Sequence, residues 1–533
     1  MRKKSAAVFL VLLPLLPLRG ALHAAVPAAA FASRLDPIIQ PILSRPEFRH
    51  AFWGIAFLDL DTGETLYELN ADKLFTPGST TKLLTEGTAL ALLGPDYRFT
   101  TRIYRTGPVA ANGVLNGDLV LVASGDPNLS GRLRPDGTLA FENVDHAYGG
   151  EAGTRAVPGD PLLVVRQLAA QVAKRGIRTV HGQVRVDASL FPEGERELGT
   201  GTVLSPIVVN DNVIDLTVGP GAGPEAPAVL TISPATSYVR FINRVKTGPA
   251  GSLPALGDPA DVTDPDGIHM VTLSGSFPAG AAPILYAYAV PEPSRFAATV
   301  LQEALAEKGV RIEPGTGGSV ASVPWTADQV DQVVAEHVSA PFREEVKVTL
   351  KVSQNLHASL TPKLLGALLR KSDAQTGFDL ERDFLTAAGL DLSGAQQADG
   401  AGGDAHYTPA FMVRYLATMA KRPDAPIFQG SLPVLGRDGT LFDIQADSPA
   451  AGHVFAKTGT YATGDPLNRR VFVTGKGLAG YMTTAAGRHL AFALYVNNVA
   501  VSTGPDEVKN VVGQALGEVA AAAYGAEEPR AAR

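Results

Sequence analysis

Cysteine is absent from this sequence of 533 residues. Its absence excludes disulfides, a cysteine nucleophile, a lipoprotein cysteine anchor and zinc sites built from thiolates. The 10 histidines show neither an HExxH pattern nor a similar metal-ligand spacing. We therefore expect no metal and no other cofactor, and a fold that depends on its packed core.

The chain also lacks an excess of basic residues and a late run of apolar ones. It carries 46 basic and 53 acidic side chains, for a net charge of −7, and no run of like charge. This balance predicts no nucleic-acid partner. Beyond the N-terminus, no stretch approaches the roughly 18 apolar residues of a membrane span. We therefore expect no transmembrane span after signal cleavage.

The first residues have the pattern of an export signal. Basic residues at 2–4 precede an apolar stretch at 6–18, and an alanine-rich stretch follows to Ala32. The apolar stretch is too short for a membrane span. Residues 1–32 are predicted to be a secretory signal peptide, with an uncleaved N-terminal anchor as the alternative. The protein is then exported to the periplasm or to a site facing the cell wall.

A short motif, Pro77-Gly78-Ser79-Thr80-Thr81-Lys82, stands between a predicted hairpin and a predicted helix at 83–93. Residues three apart on a helix share a face, so the Lys82 amine can reach the Ser79 hydroxyl. A serine activated by a lysine at this spacing is a nucleophile that needs no histidine. The alternative is a helix-capping serine followed by a solvated lysine.

Two further motifs follow in the C-terminal half. Ser353-Gln354-Asn355 opens a predicted helix, and on its own it also fits a helix cap. Lys457-Thr458-Gly459-Thr460 ends an apolar strand, and on its own it also fits a strand-to-turn transition. A second Lys-Thr-Gly begins at Lys246, but it precedes Ser353 and runs into a proline. In this order the motifs form the signature set of penicillin-recognising serine acyl enzymes.

The catalytic roles follow from the side chains. Ser79 attacks a carbonyl and becomes acylated, and Lys82 must accept a proton, which requires a lowered pKa. Ser353 can relay that proton to the leaving amine. Asn355 can hold both Lys82 and the substrate amide through hydrogen bonds.

The third motif serves the substrate. Lys457 supplies positive charge for a terminal carboxylate, and Thr458 and Thr460 offer hydroxyls to the same group. Gly459 keeps the strand edge clear of side chains. Backbone amides of Ser79 and Thr460 would form the oxyanion hole.

With these motifs the sequence resembles the class C low-molecular-mass penicillin-binding proteins of the penicillin-binding protein 4 type. The resemblance runs from about residue 35 to 520, and the long separation of Ser79 from Ser353 singles out this family. Other matching stretches lie at residues 125–129, 209–213, 399–402, 432–441 and 478–481. Gln354 stands where the family usually has aspartate, and residues 399–404 depart from its glycine-rich segment.

The resemblance implies an α/β (α+β) fold, in which a β-lactamase/transpeptidase-like domain has an antiparallel sheet flanked by helices. One or more β-rich domains are inserted into it. After the signal peptide we expect a first transpeptidase-like segment at 33–97 and one or two inserted domains at 98–285. The second segment covers 286–525, and 526–533 form a tail. Strand-like segments at both ends of the chain, with helical periodicity between them, agree with this order.

The resemblance also implies a serine-type D-Ala-D-Ala carboxypeptidase/D,D-endopeptidase. Its expected substrates are peptidoglycan stem peptides, cleaved through an acyl-enzyme on Ser79, and β-lactam antibiotics are its expected covalent inhibitors. Two alternatives remain: a non-catalytic cell-wall-binding protein of the same fold, and a β-lactamase.

Overall fold

A computed structural model describes residues 28–150, 153–313, 332–372, 374–504 and 506–527. Most of the predicted signal peptide and residues 528–533 of the predicted tail lie outside this part. The described part of the signal region, residues 28–32, belongs to a helix whose Phe31 is fully buried. Among the described residues, every helix is too short or too polar to cross a lipid bilayer.

Helices and strands alternate unevenly along the chain. The helices are α1 Ala28–Leu43, α2 Lys82–Leu93, α3 Leu163–Lys174, α4 Pro293–Glu307, α5 Phe342–Val352, α6 Asn355–Leu369, α7 Gly377–Ala387, α8 Pro409–Ala420, α9 Ala425–Gly430 and α10 Gln514–Gly525. The strands are β1 Phe52–Asp59, β2 Thr65–Leu69, β3 Thr100–Arg105, β4 Val114–Asn116, β5 Leu119–Val122, β6 Thr179–His181, β7 Val184–Asp187, β8 Val213–Gly219, β9 Val229–Ser233, β10 Val239–Gly248, β11 Ala255–Leu256, β12 Ala260–Thr263, β13 His269–Pro278, β14 Ile284–Ala289, β15 Arg311–Glu313, β16 Val333–Val338, β17 Ala395–Gln397, β18 Ala405–Tyr407, β19 Val454–Asp465, β20 Arg470–Thr483 and β21 His489–Val501.

The central sheet combines both ends of the chain. Its five strands follow the order β19-β20-β21-β1-β2, and every neighbouring pair is antiparallel. One face packs against α1 and α10, and the other against α2 and α8. This arrangement confirms the predicted fold class of an antiparallel sheet flanked by helices.

The region between the two halves of this sheet is rich in β-structure. Its strands form separate small sheets, ordered β16-β3-β5-β7, β14-β8-β9, β15-β6-β4 and β10-β13-β11, with β12 also on β13. The hydrophobic core of this region also contains Phe296 and Val300 of α4 and Val334 of β16. The boundary at 285/286 stays a prediction, and this packing favours one near Val338.

One local expectation was wrong: Ser353 does not open helix α6 but ends the preceding helix, α5. Helix α6 runs from Asn355 through Pro362, and its buried leucines hold a segment that has lost one backbone donor. The residues after Thr460 belong mainly to the extended β19–β20 hairpin.

Candidate active site

Ser79 lies in a 3₁₀ turn, Gly78–Thr81, that runs directly into α2. Gly78 has φ +52°, a conformation that side chains disfavour. Two threonine hydroxyls close the turn by donating to backbone carbonyls: Thr80 to Pro77 at 3.1 Å and Thr81 to Gly78 at 3.0 Å. Lys82 is therefore the first residue of α2, one turn beyond Ser79.

Lys82 connects the first two motifs. Its Nζ lies 3.0 Å from Ser79 Oγ and 3.1 Å from Ser353 Oγ. It also donates to the Ser353 carbonyl and to Asn355 Oδ1, both at 2.5 Å. The structure thus brings Ser79, Ser353 and Asn355, the other three predicted residues of the first two motifs, to the Lys82 amine.

The Lys82 ammonium is strongly disfavoured in this position. The side chain is fully buried, and burial lowers its pKa to about 7 against the opposing attraction of Glu197 and Asp399. A lysine with this pKa is uncharged in about half of the molecules near neutral pH. The free amine has a lone pair that can accept a proton from a nearby hydroxyl, which is what a general base requires.

Ser353 is held in an unusual backbone conformation. Its φ is +63°, in the left-handed region, which costs a non-glycine residue about 1–3 kcal/mol. The Ser353 carbonyl accepts hydrogen bonds from Lys82 Nζ and from the Tyr148 hydroxyl. These contacts fix the Ser353 carbonyl, and Lys82 Nζ also holds the Ser353 hydroxyl. Tyr148 was not found from the sequence.

Strand β19 runs against the turn that carries Ser79. A methyl group on Gly459 would lie 1.9 Å from the Pro77 carbonyl oxygen and 3.0 Å from the Ser79 amide nitrogen. One on Gly78 would lie 2.5 Å from the Thr460 amide nitrogen. The two amides of the predicted oxyanion hole therefore lie at this contact, which any side chain on Gly459 would force apart.

The remaining members of the third motif lie beside the same turn. Lys457 is fully buried and donates to the Thr458 carbonyl at 2.9 Å. Burial and the charges of Lys82 and Lys476 hold its pKa well below its usual range. The Thr458 hydroxyl pairs with that of Thr440 at 2.8 Å. An anionic group would relieve the unfavourable positive potential of these lysines.

Lys476 is a further cation that the motifs did not reveal. Its Nζ donates to Thr460 Oγ1 at 2.5 Å from the neighbouring strand β20. The pairing of β19 with β20 places Lys476 directly opposite Thr460. Lys476 belongs to none of the three motifs, and its position beside Thr460 follows only from the pairing of the two strands.

A pocket opens over Ser79. Its walls come from all three motifs, from the inserted region and from the segment after Gln397; they are Ser79, Glu197, Leu198, Gly199, Asn355, Asp399, Ala401, Gly402, Gly403, Thr460 and Tyr461. The Asp399 carboxylate accepts from the amides of Ala401 and Gly402 and so shapes one wall. Glu197 likewise accepts from the Gly199 amide at 2.6 Å.

Behind the second motif lies a buried network of charges, which we call the ion cluster: Arg132, Asp145, His146, Asp211, Asp215, Glu345 and His357. Arg132 bridges Asp145 and Asp211 at 2.5 Å each. His357 links Asp211 at 3.0 Å to Glu345 at 2.9 Å. Arg132 and Asp211 belong to the inserted region, whereas Glu345 lies on α5 and His357 on α6. The cluster therefore joins the insertion to these two helices.

Each charge in the ion cluster shifts the pKa of its neighbours toward their charged forms. Burial alone would lower the pKa of His357, but Glu345 and Asp211 raise it to about 10. Burial alone would also lower the pKa of His146, but Asp215 and Asp211 raise it to about 10. Burial alone would raise the pKa of Asp211, but Arg132 and His357 hold it well below its usual range. Both histidines are therefore cationic at neutral pH.

The departure at Gln354 fits into this cluster. Gln354 Nε2 donates to Asp145 Oδ1 at 3.1 Å, while its Oε1 accepts from the Leu356 amide at 2.8 Å. Asp145, His146 and Asp211 also have the spacing of a metal site. Arg132 already pairs with Asp145 and Asp211, and His146 pairs with Asp211. The carboxylates of this group therefore have their partners within the ion network.

Fold and site together define a penicillin-recognising serine hydrolase. The D-Ala-D-Ala carboxypeptidase 3 (S13) family model matches residues 35–517. A D-alanyl-D-alanine carboxypeptidase of Actinomadura sp. strain R39 is 30% identical, over 99% of this chain and 92% of that protein. The chain belongs to the D-Ala-D-Ala carboxypeptidase 3 (S13) family, and the predicted serine-type carboxypeptidase class is confirmed.

More distant relatives agree. The D-alanyl-D-alanine carboxypeptidase DacB of Haemophilus influenzae is 24% identical, over 86% of this chain and 87% of that protein. The crystal structure of penicillin binding protein 4 (dacB) from the same species matches at a TM-score of 0.70 with 20% identity. It covers 91% of this chain and 99% of its own. These matches favour neither the non-catalytic alternative nor the β-lactamase.

Proposed function

We propose that Ser79 is the acylated nucleophile of this carboxypeptidase and that Lys82 is its general base. The observation that carries this proposal is the position of the Lys82 amine, within 3.0 Å of Ser79 Oγ and 3.1 Å of Ser353 Oγ. The lowered pKa of Lys82 supports the same assignment, because an ammonium ion cannot accept a proton.

The acylation step needs two proton transfers, one from Ser79 to Lys82 and one from Lys82 to the leaving amine. Ser79 Oγ attacks the carbonyl carbon of the peptide bond that joins two D-alanines, while its proton passes to the free amine of Lys82. The amides of Ser79 and Thr460 stabilise the oxyanion. As the peptide bond breaks, the proton moves through the Ser353 hydroxyl to the departing D-alanine amine. Water then hydrolyses the ester on Ser79 and regenerates the free hydroxyl.

Asn355 and Lys457 serve the substrate in this proposal. Asn355 Oδ1 is bonded to Lys82, which leaves its amide nitrogen to face the substrate backbone. Lys457 and Lys476 supply positive charge for the terminal carboxylate, with Thr458 and Thr460 beside them. A free carboxylate next to the scissile bond is the feature that separates a C-terminal D-alanine from an internal peptide bond.

The natural substrate in this proposal is a peptidoglycan stem peptide. A crystal structure of penicillin binding protein 4 from Haemophilus influenzae, which has a similar fold, contains a bound β-lactam. The same chemistry here makes β-lactams covalent inhibitors of Ser79 and makes cleavage of D-alanyl cross-links a second reaction. The basic and apolar N-terminal pattern supports export to the periplasm or cell-wall face, where these substrates occur.

Release of D-alanine from a stem pentapeptide tests the function directly. We expect the wild-type protein to release one D-alanine per peptide and a Lys82→Met variant to lose about 100-fold or more in rate, because the base is removed. A Lys73→Met variant, which changes an exposed lysine, is the matched control. Equal rates for wild type and Lys82→Met would contradict the proposed base.

The pH profile provides an independent prediction. Since the free amine of Lys82 is the active form, kcat/KM should rise with pH and level off above an inflection near 7. Below the inflection, the rate should fall by about tenfold per pH unit. The measurement is D-alanine release across the neutral range in buffers of constant ionic strength. A profile that falls with rising pH through this range would show that the protonated lysine is required.

A further inference from the structure

A second cavity lies beside helix α2, which follows the Ser79 turn. It has a volume of ≈ 260 Å³ and opens between α7, α2 and the β17–β18 hairpin. Its lining is largely apolar; it comprises Leu84, Phe378, Asp379, Glu381, Arg382, Leu385, Leu392, Ala395, Gln397 and Tyr407. None of these residues lines the pocket over Ser79.

Glu381 is the exceptional member of this lining. Its side chain is buried at 4% exposure, and its Oε1 has no hydrogen-bond partner in the described part of the chain. Burial raises the pKa of Glu381 to about 8, with no cation near enough to oppose it. A buried carboxyl oxygen without a partner is destabilising, so its position in the wall of a cavity indicates a ligand that supplies the missing donor.

The polar wall of the cavity is already fixed by hydrogen bonds. The Tyr407 hydroxyl donates to Gln397 Oε1 at 2.7 Å, and Gln397 Nε2 donates to Thr85 Oγ1 at 3.1 Å. The Thr85 hydroxyl in turn donates to the Gly400 carbonyl at 2.9 Å. These groups are therefore committed to one another, and Glu381 is left as the acceptor for an incoming group.

We propose that this cavity binds a small molecule with a primary ammonium group and an apolar body, and that the ammonium pairs with Glu381. An ammonium ion offers three donors to a carboxylate, and a charge-assisted bond is the strongest compensation for its burial. The apolar body would pack against Leu84, Leu385 and Leu392, which displaces water from apolar surface.

The other ionisable groups that face the cavity do not compete for this role. The Asp379 carboxylate accepts from the Thr376 amide and hydroxyl at the start of α7. Arg382 is exposed, and the Tyr407 hydroxyl is bonded to Gln397. Glu381 therefore carries the only buried carboxyl among the lining residues, all of which belong to the described part of the chain.

Binding should release a proton. In the empty cavity at pH 7 most Glu381 carboxyls are protonated, because their pKa is about 8. An ammonium ligand favours the carboxylate and so expels that proton. The affinity should accordingly rise with pH up to about 8 and then level off.

Titration calorimetry with isopentylamine tests this site. At pH 7, in two buffers of different ionisation enthalpy, we expect saturable binding to the wild-type protein with release of most of one proton. The Glu381→Gln variant keeps the size of the side chain but loses its charge. It should bind at least about tenfold more weakly and release no proton. The control is Asp383→Asn, an exposed change on the same helix, which should bind as the wild type does.

Two further measurements make the outcome decisive. Glu381→Gln should unfold at no lower temperature than the wild type, because it removes a buried ionisable carboxyl. Ser79→Ala should bind the amine unchanged, which separates this site from the catalytic pocket. Absence of saturable binding to the wild-type protein, or equal binding to Glu381→Gln, would overturn the proposal.

Discussion

We expect that replacing Ser79 with alanine removes the covalent penicillin adduct and lowers the rate of D-alanine release by about 10⁴-fold or more. The reason is that, in the described part of the chain, the Lys82 amine contacts one side-chain hydroxyl besides that of Ser79, and this hydroxyl, on Ser353, belongs to the proton path. Intact mass spectrometry should show one adduct on the wild-type protein, and peptide mapping should place it on the peptide that contains Ser79. A Ser274→Ala variant, which changes an exposed serine in the insertion, should label as the wild type does.

Three other results would each change the conclusion. An adduct that persists in Ser79→Ala would assign the nucleophile to another residue. Intact penicillin with no adduct on the wild-type protein would favour a non-catalytic cell-wall-binding protein. Penicillin consumed without a lasting adduct would favour a β-lactamase, since such an enzyme must hydrolyse its acyl-enzyme rapidly.

The second large effect is expected in stability. Asp211→Asn removes the carboxylate shared by Arg132, His146 and His357 and leaves their charges buried with fewer partners. Removing one partner of a buried ion pair costs about 3–5 kcal/mol, and we expect the free energy of unfolding to fall by that amount. Denaturant unfolding at pH 7 measures it, with the exposed Asp258→Asn as control. A loss below about 1 kcal/mol would show that the cluster contributes little.

The ion cluster also predicts how stability depends on pH. His146 and His357 have folded-state pKa values of about 10, above the ordinary value of 6.5. The folded protein therefore holds more protons than the unfolded chain between these values. This contribution is complete below about pH 6.5 and is lost as the pH rises through 10. The wild type should become less stable over this interval, and Asp211→Asn should show a weaker dependence.

The meeting of the three motifs was predictable, because each combines a local chain signal with a chemical requirement. Ser79 and Lys82 are one turn apart, so helix geometry alone brings them together. The order of the motifs along the chain then indicated Ser353 and Lys457 as partners. The five-stranded sheet followed from apolar strands at both chain ends and helical periodicity between them.

What the sequence did not reveal depends on contacts between distant segments. Tyr148 reaches the Ser353 carbonyl from the inserted region, and Arg132 meets Asp211 in a buried ion pair. Such pairs leave no periodic pattern, because each member lies in a turn or an irregular segment. The stretch 209–213, which resembles the family, contains Asp211 of this network, and Asn128 of the stretch 125–129 donates to Glu345. The sequence alone does not show these contacts, because they form only where the insertion packs behind α6.

The pairing of β1 with β21 has a consequence for how the molecule matures. Eight residues of β1 pair with strand β21, which lies near the other end of the chain. The turn that carries Ser79 follows the β1–β2 hairpin and lies against strand β19, so the proposed oxyanion hole needs segments from both halves of the sheet. Pairing across so much sequence is slow, because loop closure precedes any gain from contacts. An emerging chain therefore lacks the assembled sheet, and with it the proposed oxyanion hole, until strand β21 is available.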